Sequence, residues 1–209
     1  MIKQGKILVQ IGTNNGNDAF NKIVRYANPT KVILVEPNAK LNNKIRENYK
    51  GIDIILENVI ISNDNNARLV HPKNKYSKSG KRIGKLNYSD VHYSLLPMDD
   101  WGNDFDIINS PCISFMALCE KYSLEHIHYL QIDTEGYDAE IIKSIDFNKV
   151  KIDMIEYERW NFPENRFTRH GDKAKLYGVN GMRAVSNLLD KLGYIQISQD
   201  ENILAIWYG

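Results

Sequence analysis

The chain is poor in the features that would settle its class at a glance. It has two cysteines in 209 residues, Cys112 and Cys119, so a disulfide scaffold is excluded, and their spacing is not that of a zinc site. No apolar run approaches the ~18 residues of a membrane span, and the start Met1-Ile2-Lys3-Gln4-Gly5-Lys6 lacks the apolar core of a secretory signal. Net charge is only +1, so no global basic bias calls for nucleic acid. Internal repeats and low-complexity tracts are missing too. These absences leave a cytoplasmic protein with no membrane partner and a single domain, residues 1–209, as the expectation.

What is present begins with a strand and a turn. Residues 6–11 form a compact apolar run, followed by Gly12-Thr13-Asn14-Asn15-Gly16-Asn17-Asp18 and a helix-like stretch over residues 19–26. Gly12 and Gly16 let the backbone turn sharply and approach a ligand, since no Cβ stands in the way. Such a turn alone is a weak signal. A second apolar strand, residues 31–35, strengthens it by ending in Glu36-Pro37-Asn38, with Glu36 20 residues past Gly16. That is close to the offset at which an acid grips ribose hydroxyls in nucleotide-binding βαβ units. The rival reading of Glu36 is a carboxylate favoured at a helix start. After a helix over residues 39–49 and a strand over 52–56, Asn58 either reads an adenine edge or turns the chain.

The most informative stretch is Tyr129-Leu130-Gln131-Ile132-Asp133-Thr134-Glu135-Gly136, with Ile141, Ile142 and Ile145 at helical spacing behind it. Asp133 and Glu135 fall at the carboxyl end of a buried strand, the end that faces the ligand crevice in open α/β sheets. A further strand over residues 150–157 also ends in acids, Glu156 and Glu158, expected to share a face and look into the same crevice. Carboxylates so placed suit proton acceptance, a hydroxyl clamp or a divalent cation. Asp133 is the stronger catalytic candidate, Glu156 the weaker. His126 and His128 have one-face spacing, but His128 falls at the far end of its strand from the crevice.

Two segments break the pattern. Residues 71–93 read as a basic, aromatic insert loop, carrying Lys73, Lys75, Lys78, Lys81, Arg82 and Lys85 among Tyr76, Tyr88 and Tyr93. Residues 159–181 read as an acceptor lid, in which His170 has a route to acid or base work. An amphipathic helix ending at Gly193 follows, and then two strands around Gln199-Asp200-Glu201-Asn202 form a hairpin.

The chain resembles a class I methyltransferase and is most similar to the FkbM family of O-methyltransferases. The motifs that carry the resemblance are Gln10-Ile11-Gly12-Thr13-Asn14-Asn15-Gly16, Val35-Glu36-Pro37-Asn38, residues 58–62 and, above all, Ile132-Asp133-Thr134-Glu135-Gly136. The resemblance implies a Rossmann-like α/β fold, a mostly parallel sheet with helices on both faces and a C-terminal antiparallel hairpin. It implies S-adenosylmethionine as cofactor, with Gln10, Gly12, Asn14 and Gly16 at its methionine part, Glu36 and Pro37 at the ribose, Asn58 on the adenine side and Asp133 near the methyl group. Family members usually carry an acid where this chain has Gln10, and an amide removes a negative charge facing a cationic cofactor. The expected acceptor is a hydroxyl of a sugar, glycan or other small polar molecule; a divalent metal is compatible with the acids but not expected. An RNA ribose 2'-O-methyltransferase and a noncatalytic methyltransferase-like interaction protein are the alternative readings.

Overall fold

The computed structural model describes residues 5–72, 74–76, 82–85, 95, 105–158, 179–200 and 202–209. Seven strands build the central sheet: β1 (Ile7–Ile11), β2 (Lys31–Val35), β3 (Ile55–Glu57), β4 (Tyr129–Ile132), β5 (Met154–Glu158), β6 (Tyr194–Gln199) and β7 (Asn202–Trp207). Their order is β6-β7-β5-β4-β1-β2-β3. The five strands β1 to β5 pair in parallel, and β7 joins β5 antiparallel with β6 outside it. Within the sheet only β7 therefore runs against the other strands. The central strands are apolar on both faces because both faces are covered, the condition that produces continuous hydrophobic runs.

One face carries α1 (Ala19–Ala27) and α2 (Asn42–Asn48), which place Phe20, Val24, Ile45 and Tyr49 against Leu8, Val32 and Leu34. The other face carries α3 (Phe115–Tyr122), α4 (Asp138–Lys143) and α5 (Val179–Lys191), with Leu118, Ile142, Val185 and Leu189 packed on Val9, Ile33 and Leu130. Each fully buried side chain of this kind contributes about 1.5–3 kcal/mol relative to exposure. Alternation along β1 has a consequence for the site, since Leu8 and Gln10 point to the α1 face while Val9 and Ile11 point to the other.

Several boundaries differ from the sequence reading. The helix expected over residues 39–49 opens with a 3-10 turn, Ala39–Leu41, capped by the Asn38 side chain, which shortens α2. The strand expected over 150–157 is two pieces, Lys151–Ile152 and β5, because Asp153 is held by the N–H of Trp207 and donates its own N–H to Ile127. Within the expected insert loop, residues 71–93, the described parts are strands: Leu69–Pro72 pairs with Phe105–Ile108, and Asn74–Tyr76 pairs with Arg82–Lys85. Asn74–Tyr76 and Arg82–Lys85 are short and mostly polar, so periodicity could not announce them. Residues 159–178 of the expected lid, His170 among them, lie outside the described residues, and 179–181 already belong to α5. Among the described residues no helix is long and apolar enough to cross a membrane.

Candidate functional site

A cleft opens where β1, β2 and β4 end. Its floor is main chain: the N–H groups of Gly12 and Thr13 donate to the Val35 carbonyl at 3.0 and 3.1 Å, and the Asp133 N–H donates to the Ile11 carbonyl at 2.9 Å. Gly12 is required here. Its φ is 85°, and a Cβ at that position would lie 1.8 Å from the Asp133 carbonyl oxygen. Gly16, at φ 74°, serves differently, because its missing Cβ leaves room for the Tyr49 ring. Gly12, Asn14, Glu36, Pro37 and Asp133 all line the cleft. Gly16 and Gln10 stand behind its lining.

Glu36 is the best-defined polar group of the wall. Its Oε2 accepts the Asn14 N–H at 2.7 Å and its Oε1 accepts the Asn38 N–H at 2.8 Å, so one carboxylate fixes the turns after both β1 and β2. It is 6% exposed. Burial pushes its pKa up to about 7, with those two N–H bonds opposing the rise. A carboxylate oxygen has more than one acceptor site, so the group keeps capacity for hydroxyl donors on the cleft side.

Asp133 faces the cleft with an exposed side chain. Protein nevertheless surrounds it in the other directions, and this desolvation raises its pKa well above the ordinary carboxylate value. The nearby acids Asp138, Glu135, Asp18 and Glu156 add to the rise. Glu135, Thr134 and Tyr137 complete that side, with the Tyr137 hydroxyl 3.1 Å from Ser62 Oγ. The opposite wall is apolar, formed by Leu41, Val59, Ile60 and Ile61.

Three expected site residues lie outside the cleft lining and within hydrogen-bond networks. Gln10 is buried on the α1 face, where its Nε2 donates to Asp18 Oδ2 at 2.7 Å and to Gln131 Oε1 at 2.8 Å. Asp18 caps α1 through Oδ1 and presents its second oxygen to the Gln10 amide. Glu156 does not look into the cleft as expected. It accepts from Gln131 at 3.1 Å, from Asn202 at 2.7 Å and from the Tyr129 hydroxyl, which makes it the far anchor of a polar row crossing β1, β4, β5 and β7. Register explains the correction, since Gln10, Gln131 and Glu156 stand opposite one another and share a face. Asn58 latches the turn after β2: its Nδ2 donates to the Glu36 carbonyl and to Asn42, and its Oδ1 accepts from Asn42.

Sequence reasoning gave no role to Asp18, Asp138 or the side chains of Val59, Ile60 and Ile61, although residues 58–62 carried part of the resemblance. Of the two acids only Asp18 had a signal, an N-cap aspartate directly before an apolar helix. At the opposite end of the sheet, His126, His128 and Asp153 bring potential ligand atoms within 4.8 Å of one another. His128 Nδ1 accepts the Ile7 N–H at 3.1 Å, which leaves the proton of its neutral ring on Nε2, and His126 Nε2 lies 2.8 Å from Asp153 Oδ1. So arranged, the trio is a hydrogen-bonded cap on the start of β1.

The family model described as Methyltransferase FkbM domain matches residues 10–195. Among solved structures, the O-methyltransferase from Bacillus cereus in complex with SAH is similar over 99% of this chain and 76% of that one, with a TM-score of 0.51 and 10% identity. The SAH-bound Podospora anserina methyltransferase PaMTH1 is similar over 99% of this chain and 74% of that one, with a TM-score of 0.45 and 13% identity. No curated protein sequence matches the chain.

Proposed function

Because the chain belongs to the FkbM family of S-adenosylmethionine-dependent methyltransferases, we propose that it methylates a hydroxyl of a sugar, glycan or other small polar acceptor, with Asp133 receiving the proton. The observation that carries this reading is the placement of Asp133: an exposed carboxyl on the cleft, its main chain pressed against Gly12 at the end of β1.

The residues present fit the cofactor. Glu36, tied by two backbone N–H groups, would hold the ribose hydroxyls; Leu41, Val59 and Ile60 would cover an apolar ring; Gly12 and Asn14 would border the methionine part. When bound, S-adenosylmethionine supplies an electrophilic methyl group on a cationic sulfur. What remains for the chain is to align the acceptor oxygen, exclude water and take a proton. A carboxylate whose pKa is raised is the better base for a hydroxyl, and Asp133 is shifted in that direction. The described lining includes the acids Glu36, Asp133 and Glu135 and no lysine or arginine. That balance favours a cationic cofactor and a neutral acceptor over a polyanion such as RNA.

Calorimetry with S-adenosylhomocysteine and a methyl-transfer assay on a panel of neutral sugars test the reading. Wild type should bind the product and methylate at least one member. Asp133→Ala should keep binding within about threefold and lose transfer by about a hundredfold or more. Full transfer by Asp133→Ala would remove the aspartate from the chemistry, and RNA methylation that collapses with salt would replace the sugar reading.

A further inference from the structure

The turn between β4 and α4 contains a carboxylate that the reaction above does not use. Asp138 opens α4 and has no solvent exposure. An aspartate at a helix start is ordinarily at ease in water, where the helix dipole favours it. Burying the charged group is costly unless hydrogen bonds compensate. Here they come from the turn itself: Asp138 Oδ1 accepts the Thr134 N–H at 3.3 Å, and Oδ2 accepts the Thr134 hydroxyl at 3.2 Å. One side chain therefore ties back to the residue that follows Asp133. The stretch between them is strained, with Glu135 at φ 53° in a region that non-glycine residues seldom occupy and Gly136 at φ 110°. Gly12 closes the other side of the same loop by accommodating the Asp133 carbonyl.

We propose that Asp138 is a positioning residue for methyl transfer: clasping Thr134 from inside the protein, it fixes the direction in which Asp133 faces the cleft. The inference rests on the reading of Asp133 as proton acceptor. Charge supports the geometry. The charged groups whose fields reach Asp133 are Asp138 from α4, Glu135 from the turn, Asp18 from the start of α1 and Glu156 from β5, all acids. After burial, Asp138 is the largest contributor to the rise in the Asp133 pKa. Asp138 is itself pushed by burial to about 7, against hydrogen bonds from Thr134 and Gly136. The clasp thus aims Asp133 and strengthens it as a base.

Carboxyl ¹³C NMR on the full chain with S-adenosylhomocysteine tests this without any acceptor. The Asp133 signal, assigned with Asp133→Asn, is titrated in wild type, Asp138→Asn and Asp138→Ala. Asp138→Asn retains an oxygen for Thr134 but not the charge, so the Asp133 midpoint should fall by about one pH unit or more. Its affinity for the product should stay within about threefold of wild type. Asp138→Ala also loses the clasp, so exchange of the Thr134 amide should accelerate by about tenfold or more in that variant alone. An unmoved Asp133 midpoint in Asp138→Asn, or equal Thr134 exchange in all three proteins, would overturn the proposal. Failure of wild type to bind S-adenosylhomocysteine would overturn the cofactor reading beneath it, an outcome separable from either NMR result.

Discussion

Between β1 and α1 the chain turns through Gly12 and Gly16, whose φ values of 85° and 74° no ordinary side chain adopts easily. Between β4 and α4 it turns through Glu135, at φ 53°, and is held by the buried Asp138. The first turn owes its shape chiefly to missing atoms, with the Glu36 carboxylate holding only its Asn14 N–H. The second owes its shape to a carboxylate, so its geometry and its charge are coupled. A cofactor wall benefits from the first kind of construction and a proton-accepting group from the second, and the two meet where the Asp133 carbonyl fills the space beside Gly12.

The most severe way to break this pairing is Gly12→Ala. The added Cβ would sit 1.8 Å from the Asp133 oxygen on a backbone that disfavours any side chain, so both turns must move. We expect a loss of roughly 2–4 kcal/mol in thermal or urea unfolding and no detectable binding of S-adenosylhomocysteine. A smaller and pH-sensitive effect should follow Gln10→Glu. That change sets a carboxylate where the amide now donates to Asp18 at 2.7 Å and Gln131 at 2.8 Å. Stability should fall by about 1–3 kcal/mol at pH 8 and recover toward pH 5 as the new acid takes a proton. Equal stability at both pH values would mean that the new carboxylate and Asp18 do not repel each other.

The mildest test contrasts the turns by pH alone. Folding raises Glu36 from 4.5 and Asp138 from 3.8, each to about 7. The sign follows from linkage: the folded state binds these protons more tightly, so their contribution is complete below about pH 4 and fades as pH rises through about 7. Melting temperatures of the cofactor-free protein should therefore decline between pH 5 and pH 8, with a shallower decline in Asp138→Asn. An increase over that interval would contradict both assignments.

The centre of the sheet was legible because β1, β2 and β4 are buried on both faces and each announces itself as an apolar run; the closing hairpin was legible from its turn residues. Glu36 and Asp133 could be read from where their strands stop. The uses of Gln10, Glu156 and Asn58 could not, since each depends on a partner far along the chain. Gln10 meets Gln131 only after β1 and β4 pair in a particular register, and Gln131 meets Glu156 only through β5. Asp138 was hidden for a related reason: an acid at a helix start looks solvent-exposed until packing from both sides is known.

The floor of the cleft is laid by amides and carbonyls of Ile11, Gly12, Thr13, Val35 and Asp133 bonded to one another. Main-chain atoms are the same in every protein, so such a foundation puts few demands on residue identity beyond a glycine at one crossing. A chain can exchange nearly all its other letters and still pour the same base, which is how a likeness of shape to the Bacillus cereus enzyme coexists with 10% identity. For engineering, the freedom lies in the walls, where the half-buried Leu41 is easier to resize than the buried Val59 and Ile60.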